Sequence, residues 1–274
     1  MKIACDICPH ACFIEEGHVG FCHARGNTGE KITAVNYGRL TSLALDPIEK
    51  KPLKRFLPGS LILSVGSFGC NLRCPFCQNC TISMADMTAE TAFWPPEQLI
   101  DYTLALRPQG NIGLAYTYNE PLVGYEYVLD CARLAQTHEL KNVLVTNGYV
   151  CEEPLRALLP LVDAMNIDLK GFTEAFYEKL SGDLETVKRT VAISAGQCHV
   201  EVTTLIIPGE NDGEDEILSL ASWLGTVSPD IPLHLTRFFP RYQYADKSPT
   251  PVETLQRLGE IARQHLRHVY LGNI

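Results

Sequence analysis

The chain has 274 residues, 46% of them hydrophobic, with a net charge of −9, enough apolar material to bury one good-sized core. No block of Lys or Arg breaks the acidic balance, which excludes the electrostatic footprint of a nucleic-acid binder. No window approaches the ~20 apolar residues of a membrane-spanning helix, and the opening MKIACDICPH has no apolar signal core, so a cytoplasmic protein with no membrane partner is expected.

In such a reducing compartment, eleven cysteines point to metal or redox chemistry rather than a disulfide framework. Residues 1–30 are polar, Gly-rich and Cys-rich without a helical or strand period, the pattern of a small metal-stapled module. Cys5, Cys8, Cys12 and Cys22 follow a CxxCxxxC spacing with nine residues before the last. Four thiolates close a zinc tetrahedron or hold a complete [4Fe-4S] cluster, and both stay open, with His10, His18 and His23 as alternate donors. Residues 31–60 read as a connector, where the three prolines of DPIEKKPLKRFLPGS disfavour a continuous helix. The main body is expected over 61–274.

From residue 61, LILSVG, IGLAYTY, NVLVTN, AMNIDLK, HVEVTTLII, PLHLTRF and HVYLGN read as strands. Between them, residues 96–107, 121–138, 152–161, 173–195, 213–227 and 250–266 read as helices. This alternation implies an α/β fold with a parallel sheet and right-handed crossovers, either doubly wound or a complete or partial βα barrel. Strand after strand ends in polar residues, which a barrel would gather at one C-terminal rim, where barrel enzymes place their chemistry.

The loop after the first of these strands carries CxxxCxxC at Cys70, Cys74 and Cys77, with Cys80 three residues further on. Zinc sites draw four ligands from two separated pairs, whereas three thiolates in one short loop suit an iron–sulfur cluster. Three ligands for four irons leave one iron open to a substrate, and a fourth ligand at Cys80 would close it.

CNLRCPFCQN, with the aromatic Phe76 before its third cysteine, resembles the signature of the radical S-adenosylmethionine (radical SAM) superfamily. CxxCPHxC near the N-terminus, YGRLTSLALDPIEKKPLKRFLPGS and LTRFFPRYQ together resemble the radical SAM member of the AmmeMemoRadiSam group, related to pyruvate formate-lyase activating enzymes. The resemblance implies a partial (β/α)6-type TIM barrel with a [4Fe-4S] cluster on Cys70, Cys74 and Cys77, and S-adenosylmethionine bound at the open iron. It also implies an external one-electron donor of flavodoxin or ferredoxin type.

AYTYNEP stands where the family binds the methionine amino group, which makes Thr117, Asn119 and Glu120 candidate acceptors, although Asn119 and Glu120 could equally cap the helix near Pro121. VTNGY and NIDLKG resemble segments of glycyl-radical-enzyme activases. They nominate Asn147 for the cofactor, although turn chemistry also explains Asn147-Gly148, and Asp168 and Lys170 for catalysis. TTLIIPGEND resembles the segment along the adenine, with Glu201 and Thr203 as polar candidates if their face is the inner one. His234 and Arg237 lie on opposite faces of a regular strand, and Arg237, nearer the rim, is taken as the substrate-side residue.

The expected activity is reductive cleavage of S-adenosylmethionine to a 5′-deoxyadenosyl radical that abstracts hydrogen, with a glycine Cα of a partner enzyme as one substrate. The alternatives are the same chemistry on a small molecule, a peptide or another protein residue, and a non-catalytic metal-binding scaffold. The extra cysteines precede the CxxxCxxC loop, whereas activases with extra clusters insert theirs after it, so the activase resemblance is a relationship and not a substrate.

Overall fold

The computed structural model describes residues 1–274. One eight-stranded sheet organises the chain, its strands in simple sequence order: β1 (Ser42–Pro47), β2 (Leu61–Gly66), β3 (Asn111–Tyr116), β4 (Lys141–Thr146), β5 (Ala164–Asp168), β6 (His199–Ile206), β7 (Leu233–Arg237) and β8 (Val269–Gly272). β2 to β8 are mutually parallel, and β1 pairs antiparallel with β2. The seven strands read from the sequence are all present.

Helical crossovers join the parallel strands: α1 (Pro96–Ala105), α2 (Tyr125–Thr137), α3 (Glu152–Leu158), the pair α4 (Glu174–Lys179) and α5 (Leu184–Ala195), α6 (Glu214–Val227) and α7 (Val252–Ala262). These six crossovers and seven parallel strands make a partial (β/α)6 barrel. The stretch 173–195, expected as one helix, is two. Ser181 takes a positive φ of 62°, and Asp183 accepts from the Thr186 N–H at 2.7 Å to start the second helix.

Covered on both faces, the strands carry short unbroken apolar runs, as in the LIL of β2 and the VLV of β4. The helices bury one stripe each on the sheet; α2 contributes Tyr127, Val128, Cys131, Ala132 and Ala135, so Cys131 serves as a small core residue.

The stretch read as a connector does more than connect. It supplies β1, and its next residues plug the N-terminal end of the barrel. Ile48 and Leu53, both fully buried, pack on Ile62, Ala115, Val143 and Ala164, one from each of β2 to β5. Asn166 Nδ2 donates to the Pro52 carbonyl at 2.9 Å, and Glu201 accepts from the Lys54 and Arg55 backbone N–H groups at 3.0 and 2.7 Å. The floor closes one end and leaves the C-terminal end open. No helix is long and apolar enough to cross a membrane.

Candidate active site

The C-terminal strand ends surround a cavity of about 720 Å³, within the range of small-molecule and cofactor sites. Cys70, Cys74 and Cys77 line it from the loop after β2, Thr117, Asn119 and Glu120 from β3, and Asn147 from β4. Asp168 and Lys170 follow from β5, Thr203 from β6 and His234 from β7.

The cysteine loop is anchored from beneath. Leu72 is fully buried, Phe76 stacks on Phe176 with ring planes 3° apart, and Asn71 Nδ2 donates to the Tyr149 carbonyl at 2.7 Å. Burial pushes the Cys74 thiol up to about 12 and raises that of Cys70, where nearby Glu120 adds to the effect. Such thiols keep their protons until a metal displaces them. Cys80 opens the one-turn helix Cys80–Ser83 and does not line the cavity.

At the end of β3 the chain turns through Tyr118, a non-glycine residue at φ 73°, a conformation that surrounding contacts must hold. Its hydroxyl donates to Asp46 at 2.8 Å, and Lys51 sits over its ring. The turn directs the next two side chains at neighbouring strand ends. Asn119 accepts from the Ser67 N–H and donates to the Phe68 and Gly69 carbonyls, which fixes the approach to the cysteine loop. Glu120 accepts from the Thr146 hydroxyl at 2.7 Å, the Asn147 N–H at 2.8 Å and the Leu122 N–H at 3.1 Å. The Leu122 bond caps the short helix from Pro121, so the capping role foreseen for Glu120 is present. Both residues therefore brace strand ends while forming cavity wall.

Asn147 faces the cysteines. Its Nδ2 donates to Cys70 Sγ at 3.7 Å and to Asn71 Oδ1 at 2.9 Å, and its Oδ1 accepts from the Tyr149 N–H. Asp168 and Lys170 pair with each other. Burial works against the Lys170 charge, but Asp168 and the Cys74 thiol outweigh it and raise the ammonium pKa. Asp168 Oδ1 and Thr203 Oγ1 are buried, line the same cavity and have no hydrogen-bond partner. Buried polar atoms without partners are costly, so these two are suited to accepting a ligand's donors.

Two expected site residues stand elsewhere. Glu201 does lie on the inner face of β6, but it is fully buried in the floor, and besides the two backbone bonds it accepts from His199 and His234 at 2.9 and 2.6 Å. Both oxygens are committed, and Glu201 does not line the cavity. Arg237 shares the outward face of β7 with Leu233 and Leu235 because side chains alternate along a strand. Its Nε donates to the Thr250 carbonyl and its guanidinium lies over Phe239. The inward residues of β7 are His234 and Thr236, and His234 stacks on Tyr270 of β8. The opposite-face rule for residues three apart already separated His234 from Arg237, and proximity to the rim was the wrong tie-breaker. No motif pointed to Tyr270 or Lys51, which also line the cavity.

The donor set fits the groups the resemblance implies. Three thiols from one loop would hold a [4Fe-4S] cluster one ligand short, and the unpartnered Asp168 Oδ1 and Thr203 Oγ1 offer acceptors for ammonium or hydroxyl groups of S-adenosylmethionine.

Comparison with known proteins gives the same answer. "Uncharacterized protein MJ0808" of Methanocaldococcus jannaschii is 40% identical over the whole of this chain and 82% of its own length. "Putative glycyl-radical enzyme activating enzyme MJ1227" of the same organism is 28% identical over 76% of this chain and 87% of its own. A crystal structure of a domain of pyruvate-formate lyase-activating enzyme from Bacteroides vulgatus superposes with a TM-score of 0.52 at 17% identity, covering 59% of this chain and 99% of that one. The pattern of the Radical SAM superfamily matches residues 64–221, more than half of the chain. A three-cysteine loop at the mouth of a partial barrel and a family match through its core strands make this chain a member of the radical SAM superfamily, an iron–sulfur enzyme class that uses a [4Fe-4S] cluster and S-adenosylmethionine.

Proposed function

We propose that this chain activates a partner protein by hydrogen abstraction, with a backbone glycine Cα as the substrate atom. The observation that carries the reading is the cavity itself: three thiols, two unpartnered acceptors and an Asp–Lys pair share one opening at the C-terminal rim. When bound, the cluster and S-adenosylmethionine supply a 5′-deoxyadenosyl radical at the cost of one electron. The chain's own residues bind, orient and shield.

Cys70, Cys74 and Cys77 would hold the cluster, with Asn147 and the Leu72 N–H donating to the Cys70 sulfur. Asp168 and Thr203 would accept from the cofactor, and Lys170 sets the charge between them and the thiols. Phe76, packed on Phe176, keeps water from the base of the loop. A cavity of about 720 Å³ open at the C-terminal rim is compatible with a narrow polypeptide segment entering beside the cofactors. The name of the 28%-identical relative, "Putative glycyl-radical enzyme activating enzyme MJ1227", supports the same substrate. The electron would come from a flavodoxin- or ferredoxin-type donor, and the setting would be the cytoplasm.

The test is an anaerobic assay of reduced protein with S-adenosylmethionine and candidate glycyl-radical enzymes, read by 5′-deoxyadenosine release and by electron paramagnetic resonance. A doublet glycyl radical on a partner supports the proposal. Steady 5′-deoxyadenosine with no protein radical on any candidate defeats the activase reading and leaves a small-molecule or peptide substrate.

A further inference from the structure

We propose that Cys5, Cys8, Cys12 and Cys22 hold a second [4Fe-4S] cluster, seated directly against the loop of the catalytic one. The hairpin of Ile3–Ala4 with Phe13–Ile14 sets Cys5 opposite Cys12, the Cys5 N–H donating to the Cys12 carbonyl at 2.9 Å. A turn closed by Ala11 N–H on the Cys8 carbonyl brings in Cys8. Cys22 arrives on the turn from Gly20 to His23, and a Cβ at Gly20 would lie 3.4 Å from Cys12 Sγ. All four are free thiols, and three are buried.

Two further observations point to a ligand. The apolar side chains buried with these thiols are Ile7 and Ile14 beside Cys5, and Ala24 and Val123 beside Cys22, too few to hold such a module without a staple. Arg25, only 4% exposed, lies beside Cys5 with its Nε unpartnered, while its other nitrogens bind Glu126. A buried guanidinium with donor capacity to spare suits the negative charge of a thiolate-bound cluster. No three Cys, His, Asp or Glu side chains converge on a point that one ion could share, and this includes Cys70, Cys74 and Cys77. A closed zinc tetrahedron needs its thiolates on one ion, whereas a cube of irons takes each thiolate on a different corner.

The placement is just as specific. The Cys70 N–H donates to the Cys22 carbonyl at 3.2 Å. Gly69, at φ 91°, permits that approach, since a Cβ there would lie 2.6 Å from the Cys22 oxygen. Arg73 covers the Phe21 ring, and His10 Nε2 meets the Asn71 carbonyl at 2.8 Å. One backbone hydrogen bond thus joins the first ligand of one loop to the last ligand of the other.

The decisive protein is the full chain with Cys70, Cys74 and Cys77 all changed to Ala, reconstituted anaerobically, because it leaves the N-terminal thiols untouched. About four irons and four sulfides should remain, against about eight of each in the wild type. Reduction with dithionite, one electron per cluster, should give a paramagnetic signal in the variant. No iron in the variant, or about one zinc in place of iron, overturns the assignment. Cys12→Ser, at the half-exposed ligand, should lose iron without losing the circular dichroism of the barrel, and unchanged iron there also counts against it. Placement is read separately in the doubly reduced wild type. Its spectrum should be broadened by spin coupling, and a simple sum of two isolated signals overturns the adjacency. The iron count does not depend on the substrate proposed above; only the coupling rests on a cluster at Cys70, Cys74 and Cys77.

Discussion

Asn147 Nδ2 donates to Cys70 Sγ at 3.7 Å, and the Leu72 backbone N–H donates to the same sulfur at 3.4 Å. Hydrogen bonds to cluster sulfurs stabilise the more negative, reduced state and so raise the reduction potential. Asn147→Ala should lower the midpoint potential of the catalytic cluster by ~40 mV, the one-electron equivalent of a hydrogen bond worth about 1 kcal/mol. A spectroscopic redox titration checks this, and an unmoved midpoint would show that the contact does not tune the cluster.

Asp168 carries the unpartnered Oδ1 in the cavity wall. Asp168→Asn replaces an ionic acceptor with a neutral amide and leaves Lys170 without its counter-charge. Loss of one charge-assisted hydrogen bond, about 1.5–3 kcal/mol, should weaken S-adenosylmethionine binding on the order of 10- to 100-fold. Equilibrium dialysis on reconstituted protein measures it; an unchanged Kd removes Asp168 from the cofactor site.

Cys80 stands outside the cavity wall that Cys70, Cys74 and Cys77 share. Cys80→Ala should keep the full iron content, whereas Cys77→Ala should lose the catalytic cluster. Iron and sulfide analysis of both variants side by side decides the point, and loss of iron from Cys80→Ala would make it a ligand.

Burial alone would raise the pKa of Glu201, but His199, His234 and the two backbone N–H groups outweigh it and lower the carboxyl to about 2 from an ordinary 4.5. Because the folded value is depressed, its stabilisation is complete above about pH 4.5 and is lost as the pH falls towards 2. The shift corresponds to about 3 kcal/mol. Urea midpoints of metal-free protein should therefore fall steeply between pH 4.5 and 2, and Glu201→Gln should be less stable at neutral pH with a flatter acid limb. Parallel limbs would show that Glu201 does not carry this dependence.

The parallel strands were legible because a buried βα sheet writes itself as short apolar runs separated by amphipathic stretches. The cysteine loop was legible because ligand spacing is local. What the sequence hid was decided by register. Glu201, Thr203 and Leu205 alternate on the inner face of β6, yet only depth separates Glu201, sealed in the floor, from Thr203, open to the cavity. Likewise the two-residue period separates His234 from Arg237 without naming the inner one; pairing with β6 and β8 does that. Ile48 and Leu53 were invisible as core because charges and prolines surround them, and their burial comes from insertion into a barrel built by later residues.

That insertion decides which part of the chain is needed to close the barrel. Residues 64–221, the span shared with the superfamily, omit Ile48, Leu53 and Ile62 and leave Ala115, Val143 and Ala164 facing an empty end, with the Glu201 carboxylate deprived of its backbone donors. An excised superfamily segment would hence be an open trough with the Glu201 carboxylate bared at its base. A stretch of this chain that keeps its floor must therefore begin no later than Ile48, upstream of the first residue by which the superfamily is recognised.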